Sequence, residues 1–382
     1  MNDTAAASKI AARLLRNGLR YRRLRLTGRP GRPQAASLEV THKCVCRCVM
    51  CNIWKIPASV PDLPLQTWVE LLSEDLLSDL RELDLTGGEP FLRDDLVPFI
   101  RAICELRKGH LTRLRSVAIT TNGVLTHRVL SMVGEMLQPM KESGLELVVV
   151  CALDAVGDRH DTIRRFPGAW LSVDRSIAGL VDLRSTHSNL IVGVKTTVLP
   201  ENVGDLGKIA EYARDRDLFT IISPAIATAG RYLNPDKAQD LTLTIAGRAL
   251  LAKFYEGPDF KWSYHAKALA RYLRTGRMEK PCSCGLNYFF VRSDGRVYLC
   301  PLFEEALGSI LDGSLTTLFT SRRAREIRGL IGKSPECRRC TEPGLERYSL
   351  PYEGFAYLRT LLRSGPRRFL EQHRHLGLDK YV

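Results

Sequence analysis

Residues 82–90 read Glu82-Leu83-Asp84-Leu85-Thr86-Gly87-Gly88-Glu89-Pro90. Residues 82–85 have the make-up of a short strand. Thr86 to Glu89 then sit just past its C-terminal end, where parallel α/β folds bind their ligands. Paired glycines let a ligand approach the main chain, and Glu89 with the adjoining carbonyls can accept hydrogen bonds from an ammonium group. On its own such a tetrapeptide could be a turn. Its flanks give it meaning.

Working outward, short apolar or β-branched runs recur at residues 38–41, 116–120, 146–153, 190–198 and 220–223. Stretches of helical period lie between them, among them residues 65–77, 96–106 and 129–143. Six β-then-α units in succession predict an α/β fold with a parallel sheet and helices outside it, an open doubly wound sheet or a partial barrel. Thr121-Asn122-Gly123 falls past another strand end. Beyond about residue 226 the alternation fades into helical segments at 246–254 and 266–273, and a second cysteine-rich region begins at Cys282.

One βα unit before the glycines the chain reads Thr41-His42-Lys43-Cys44-Val45-Cys46-Arg47-Cys48-Val49-Met50-Cys51-Asn52-Ile53-Trp54. Four thiols this close could bind tetrahedral zinc, but structural zinc usually takes two separated pairs, and no second pair follows nearby. Cys44, Cys48 and Cys51, spaced x3 then x2, can instead hold three corners of a [4Fe–4S] cube and leave the fourth iron open. An open iron serves substrate binding rather than structure. Spacing alone leaves both metals standing.

With Gly87-Gly88-Glu89-Pro90 one unit later, the pattern resembles the radical S-adenosylmethionine (SAM) superfamily. Further similarity runs through Ile119 to Gly123, Leu153-Asp154, His160 to Arg164, and Asn202. Residues 37–225 thus resemble its partial (β/α)6 TIM-type barrel. The resemblance implies that Cys44, Cys48 and Cys51 ligate a [4Fe–4S] cluster whose open iron is chelated by SAM. Gly87, Gly88 and Glu89 would meet the methionyl ammonium. Reductive cleavage of SAM would yield a 5′-deoxyadenosyl radical that takes hydrogen from a substrate. Two departures stand out. Met50 occupies a position that is often aromatic, so it can pack beside adenine but cannot stack. Ala152-Leu153-Asp154-Ala155 lacks the serine and glycine common in relatives, which leaves Thr121, Asn122 and Arg164 as candidates for the missing ribose or carboxylate contact. Cys46 is off the spacing, Cys104 and Cys151 read as buried thiols, and Trp54 reads as core packing.

In the second region, Asp294-Gly295 between β-rich runs signals a hairpin that would bring Cys282 and Cys300 together. Cys337-Arg338-Arg339-Cys340 adds a tight pair. Four such ligands suit zinc, a rubredoxin-like iron or a [4Fe–4S] cluster. Next to the barrel, the pattern resembles the twitch domain, a shortened SPASM domain, here a small β-hairpin/helix iron–sulfur domain. That implies an auxiliary [4Fe–4S] cluster on Cys282, Cys300, Cys337 and Cys340, with Cys284 as the alternative first ligand. A fully ligated cluster suits electron transfer. A substrate radical that hands its electron to it completes a net oxidation, a dehydrogenation or a cross-link. The resemblance also implies an electron donor such as flavodoxin or ferredoxin, and a small-molecule or peptide substrate. Peptide-maturing relatives commonly carry a winged-helix leader-binding domain ahead of the barrel. The 37 residues before Leu38 are too few for one, so a peptide-maturing enzyme would use a separate leader-binding partner.

Composition frames these readings. At 382 residues, 45% hydrophobic and 26% charged, the chain is globular, and no apolar run approaches the ~20 residues of a membrane span. Eleven cysteines, an odd number without a secretory signal, fit metal ligands in a reducing, cytoplasmic setting. The net charge is +14, yet residues 1–33 hold nine Lys or Arg against Asp3 alone, so the body is nearly balanced and nucleic acid is an unlike partner. Across residues 9–25, Ile10, Leu14, Leu15, Leu19 and Tyr21 fall on one half of a helix and Lys9, Arg13, Arg16 and Arg20 on the other. Such a helix fits an anionic membrane surface, an acidic partner or substrate, or its own protein. The chain divides into a basic extension (1–36), the barrel (37–225), a helical linker (226–277), the auxiliary-cluster domain (278–345) and a tail (346–382). A non-enzymatic zinc protein that binds nucleic acid would explain the thiols and the charge, but it leaves Gly87 to Pro90 without a purpose.

Overall fold

The computed structural model describes residues 3–260 and 262–373. In chain order the first part runs α1 (Asp3–Thr27), β1 (Ala35–Thr41), α2 (Leu65–Leu72), β2 (Glu82–Gly87), α3 (Leu96–Gly109), β3 (Ser116–Thr121) and α4 (Thr126–Glu142). It continues with β4 (Glu146–Ala152), α5 (Arg159–Arg164), α6 (Ala169–Thr186), β5 (Leu190–Val198), α7 (Leu206–Asp215) and β6 (Phe219–Pro224). Then come α8 (Ile245–Tyr255), α9 (Tyr264–Thr275), β7 (Tyr288–Val291), β8 (Arg296–Tyr298) and β9 (Gly308–Ser309). Six helices close the order: α10 (Leu315–Thr320), α11 (Arg322–Leu330), α12 (Pro335–Arg338), α13 (Gly344–Glu353), α14 (Phe355–Ser364) and α15 (Pro366–His373).

Strands β1 to β6 pair in parallel and in chain order, the partial-barrel arrangement expected from the sequence, and the sheet is not closed. Their side chains alternate between two buried faces, as parallel sheets require. Leu38, Val40, Leu83, Leu85, Val117, Ile119, Val149 and Val194 pack outward into the main core. Ser37, Glu39, Asp84, Thr86, Thr120, Lys195 and Thr197 face interior cavities. Polar alternate residues of β1, β2, β3 and β5 therefore line the interior, with Val148 and Val150 of β4 between them.

The hairpin β7–β8 does more than close a separate small domain. Strand β7 pairs in parallel with β1, Ala35 opposite Tyr288 through Leu38 opposite Val291, and so extends the barrel sheet. The cysteine-rich region is thus fixed to the strand that leads into Cys44.

Both ends depart from their expected forms. Residues 346–373 are not a tail but lie in α13, α14 and α15, and α1 packs against all three. Residues 374–382 lie outside the described residues. Leu14 is fully buried with Leu350, Tyr357, Leu361 and Phe369. The Tyr21 hydroxyl donates to the Cys282 carbonyl at 2.9 Å, and Arg25 donates to the Ile331 carbonyl at 2.9 Å. The apolar half of the helix is split: Ile10, Leu14 and Tyr21 turn inward, whereas Leu15 and Leu19 are 47% and 60% exposed. Among the described residues no helix is long and apolar enough to cross a membrane.

Candidate active site

A cavity at the C-terminal ends of the barrel strands is lined by Cys44, Cys48, Met50 and Cys51 on one side and by Gly87, Gly88, Thr121, Asn122 and Arg164 on the other. The glycines are required by the backbone itself. Gly88 N donates to Thr41 O at 2.8 Å and Glu89 N to Lys43 O at 2.7 Å, which ties the end of β2 to the start of the cysteine loop. A Cβ on Gly87 (φ +146°) would lie 2.1 Å from Thr41 O, and one on Gly88 2.1 Å from Lys43 O. No side chain fits there.

Glu89 is held by the chain itself. Its carboxylate is fully buried, does not line the cavity, and accepts from Phe91 N at 3.1 Å, Thr121 Oγ1 at 2.8 Å and Asn122 N at 2.7 Å. Burial pushes its pKa up to about 7 in spite of those donors. Glu89 therefore clamps the ends of β2 and β3 together. Thr121 and Asn122 are committed locally as well: Thr121 Oγ1 accepts from Gly123 N, Asn122 Oδ1 accepts from Val124 N, and Asn122 Nδ2 lies 3.8 Å from Cys44 Sγ.

Arg164 Nη2 meets Asp154 Oδ2 at 2.7 Å, both side chains buried, and Arg164 Nη1 reaches Cys48 Sγ at 3.7 Å. Asp154 Oδ1 accepts from Thr197 N, Asp154 N donates to His160 Nδ1 at 3.1 Å, and Asn202 Nδ2 donates to Asp154 O at 2.8 Å. Residues scattered from 154 to 202 in sequence thus form one hydrogen-bonded unit behind the cysteine loop. The Cys46 thiol hydrogen-bonds to both Cys44 and Cys48, which holds its own proton firmly. That bond and the Arg164 guanidinium pull Cys48 down to about 6, while burial pushes Cys51 up to about 12.

Three soft donors edging an open cavity fit an iron–sulfur cluster. Among the described residues no three His, Cys, Asp or Glu side chains converge on a single metal-ion position.

The five C-terminal thiols also gather. Cys284 hydrogen-bonds to Cys282 and Cys300, and the charges of Cys282 and Cys300 are felt at both Cys337 and Cys340. Cys337 Sγ accepts from Gly332 N at 3.1 Å and Ser334 Oγ at 3.4 Å. The Cys284 hydrogen bond pulls Cys282 down to about 7, and burial pushes Cys340 up to about 12.

A second chamber of about 800 Å³ lies between the barrel interior and the C-terminal helices. It shares Thr120, Lys195, Arg231, Glu342 and Pro343 with the cysteine cavity, so the two spaces lie against each other across these side chains. The buried Arg231 approaches Glu342 Oε2 at 4.0 Å and Thr86 Oγ1 at 3.5 Å. None of Lys195, Arg231 and Glu342 stands out from sequence motifs. Lys195 carried one signal, a charge two residues from Gly193 and Thr197 on the interior-facing register of a buried strand.

Residues 38–213 match the family model of the radical SAM superfamily, and residues 282–341 match that of an iron–sulfur cluster-binding domain, SPASM. The chain thus carries a radical SAM domain and a SPASM region. Its cofactors are therefore SAM, a SAM-binding [4Fe–4S] cluster and auxiliary iron–sulfur chemistry. The chain is 23% identical over 294 residues to the antilisterial bacteriocin subtilosin biosynthesis protein AlbA of Bacillus subtilis, covering 76% of this chain and only 60% of AlbA. It is 25% identical over 331 residues to an AdoMet-dependent heme synthase of Methanosarcina barkeri, covering 80% and 88% of the two chains. In fold it resembles Streptococcus suis SuiB, solved with the precursor peptide SuiA, at a TM-score of 0.58 and 14% identity over 85% of this chain and 73% of SuiB.

Proposed function

We propose that this radical SAM enzyme carries out a net two-electron oxidation, a dehydrogenation or a cross-link, on a peptide segment held in the chamber beneath the cysteine cavity. The carrying observation is that the two spaces adjoin across Thr120, Lys195 and Arg231. A substrate in the chamber would then lie next to what is generated above it. In this reading Cys44, Cys48 and Cys51 hold the open cluster. Gly87 and Gly88 leave main-chain groups free for the methionyl ammonium, and Met50 packs beside adenine. Arg164, Thr121 and Asn122 frame the remaining SAM groups. When bound, the cluster supplies the electron that breaks the sulfur–C5′ bond of SAM and yields a hydrogen-abstracting 5′-deoxyadenosyl group.

Cys282, Cys300, Cys337 and Cys340 hold the auxiliary cluster, with Cys284 bonding between two of them. An auxiliary cluster there would supply an acceptor for one electron, and loss of that electron with one hydrogen atom and one proton would complete the two-electron oxidation of the substrate. The chain's own part is placement: Lys195 and the Arg231–Glu342 pair orient polar groups of the substrate, and the buried walls exclude water. The names of AlbA and SuiB's bound ligand concern peptides, which supports the peptide class. A flavodoxin or ferredoxin is the reductant in keeping with this chemistry, and a separate partner would present the leader. The outer face of α1 is proposed to meet an anionic surface.

The test is anaerobic incubation of reconstituted enzyme with SAM, dithionite and candidate peptides. The expected products are 5′-deoxyadenosine and a peptide two hydrogens lighter. Turnover of small molecules alone would reject the peptide class, and a peptide product of unchanged mass would reject net oxidation.

A further inference from the structure

The segment after β6 folds back over the cysteine loop. Asn52 N donates to Tyr232 O at 3.0 Å, and Asn52 Nδ2 donates to Leu233 O and to Asp236 Oδ1. The fully buried Asn234 donates through Nδ2 to Met50 O at 2.7 Å. Lys237, the last residue of the short 3-10 turn Pro235–Lys237, brings its Nζ within 2.6 Å of Val49 O, 3.1 Å of Cys51 O and 3.5 Å of Cys48 O. Three carbonyls of the turn that carries Cys48 and Cys51 thus converge on one ammonium. The neighbouring Asp236 faces Asn52 and Lys55, and Lys237 makes no carboxylate pair among the described residues.

We infer that Lys237 is a positioning residue that sets the reduction potential of the cluster held by Cys44, Cys48 and Cys51. This rests on the site reading above. A cluster gains negative charge on reduction, so a fixed cation behind its ligand turn stabilises the reduced form and raises the potential. The same ammonium drains electron density from the carbonyls of the ligand-bearing peptides. The effect acts through charge and not only through loop shape.

The experiment is an anaerobic potentiometric titration of full-length reconstituted protein followed by electron paramagnetic resonance. The SAM-responsive signal marks the open cluster and separates it from the auxiliary one. Lys237→Met and Lys237→Gln should shift the potential of the SAM-responsive cluster to more negative values, with iron content and the other cluster's potential unchanged. Lys237→Arg, which keeps the charge, should stay near wild type. Neutral variants that keep their iron and titrate at the wild-type potential would overturn the inference. Loss of the cluster in both neutral variants would also overturn it, by reducing Lys237 to a loop clamp. Wild-type protein without any SAM-responsive cluster would overturn the site reading beneath it instead.

Discussion

At the scale of single residues, the site is built from groups held by other groups. Cys48 is proposed as a cluster ligand, so Cys48→Ala should abolish 5′-deoxyadenosine formation under dithionite, because two thiolates cannot hold a cube. Cys337→Ala should lower iron from about 8 to about 4 per chain and leave some uncoupled SAM cleavage, if both clusters are cubes. SAM cleavage by the first variant at the wild-type rate, or unchanged iron in the second, would refute the respective assignment. Glu89 makes a different kind of prediction. Its folded pKa, raised by burial to about 7, lies above the ordinary value near 4.5, so the folded chain holds that proton more tightly than the unfolded chain does. The linked stability is full below about pH 4.5 and declines as pH rises toward 7, by up to ~3 kcal/mol. Glu89→Gln removes this dependence. Denaturant unfolding of the cluster-free protein should therefore show the variant's deficit largest near pH 5 and narrowing toward pH 8.

At the scale of elements, legibility followed periodicity and chemistry. The six barrel strands were readable because apolar runs recur between helical stretches, and Cys44, Cys48 and Cys51 stood out because their spacing is chemical. For Glu89 the sequence shows a carboxylate but not the three donors that fold around it. Residues 226–241 carry no period, so the strap that grips the cysteine loop through Asn234 and Lys237 could not be seen. Lys195 needed the inward register of β5 to become visible. Gly88 and Gly134 give the matching test. A Cβ on Gly88 would strike Lys43 O, whereas one on Gly134, within α4, meets nothing within 4 Å. Gly88→Ala should lose cluster content and destabilise by about 1–3 kcal/mol, and Gly134→Ala should be stabilising by up to ~1 kcal/mol. Iron analysis and denaturant unfolding of the two variants decide the matter.

At the scale of the whole molecule, the basic first helix is structural on one face and open on the other. Leu14→Ala should cost about 2–5 kcal/mol, since the side chain is fully buried among C-terminal helices. Deleting residues 1–30 should disturb the auxiliary site first, because it removes the Tyr21 bond to Cys282 and the Arg25 bond to Ile331. The outward face keeps Leu15, Leu19 and Leu26 exposed beside Lys9, Arg13, Arg16, Arg20 and Arg23. That face should bind anionic vesicles at low salt and release them as the Debye length shortens from ~10 Å at 0.1 M. Co-sedimentation without binding at low salt would exclude a membrane role.

The packing of α1 also orders events during synthesis. Asn17 donates to the carbonyl of Pro351, a partner 334 residues further along the chain. At ~5–20 residues per second, the first helix leaves the ribosome on the order of half a minute before the helices that cover it exist. The barrel strands, paired with their neighbours in sequence, have no such wait. The nascent chain therefore carries an assembled barrel and an unsheltered Leu14 at the same time. The auxiliary site, whose Cys282 carbonyl is held by Tyr21, takes its final shape only once that helix docks. Loading of its iron then belongs after translation, and a chaperone that shelters the first helix would act on the yield of the second cluster before the first.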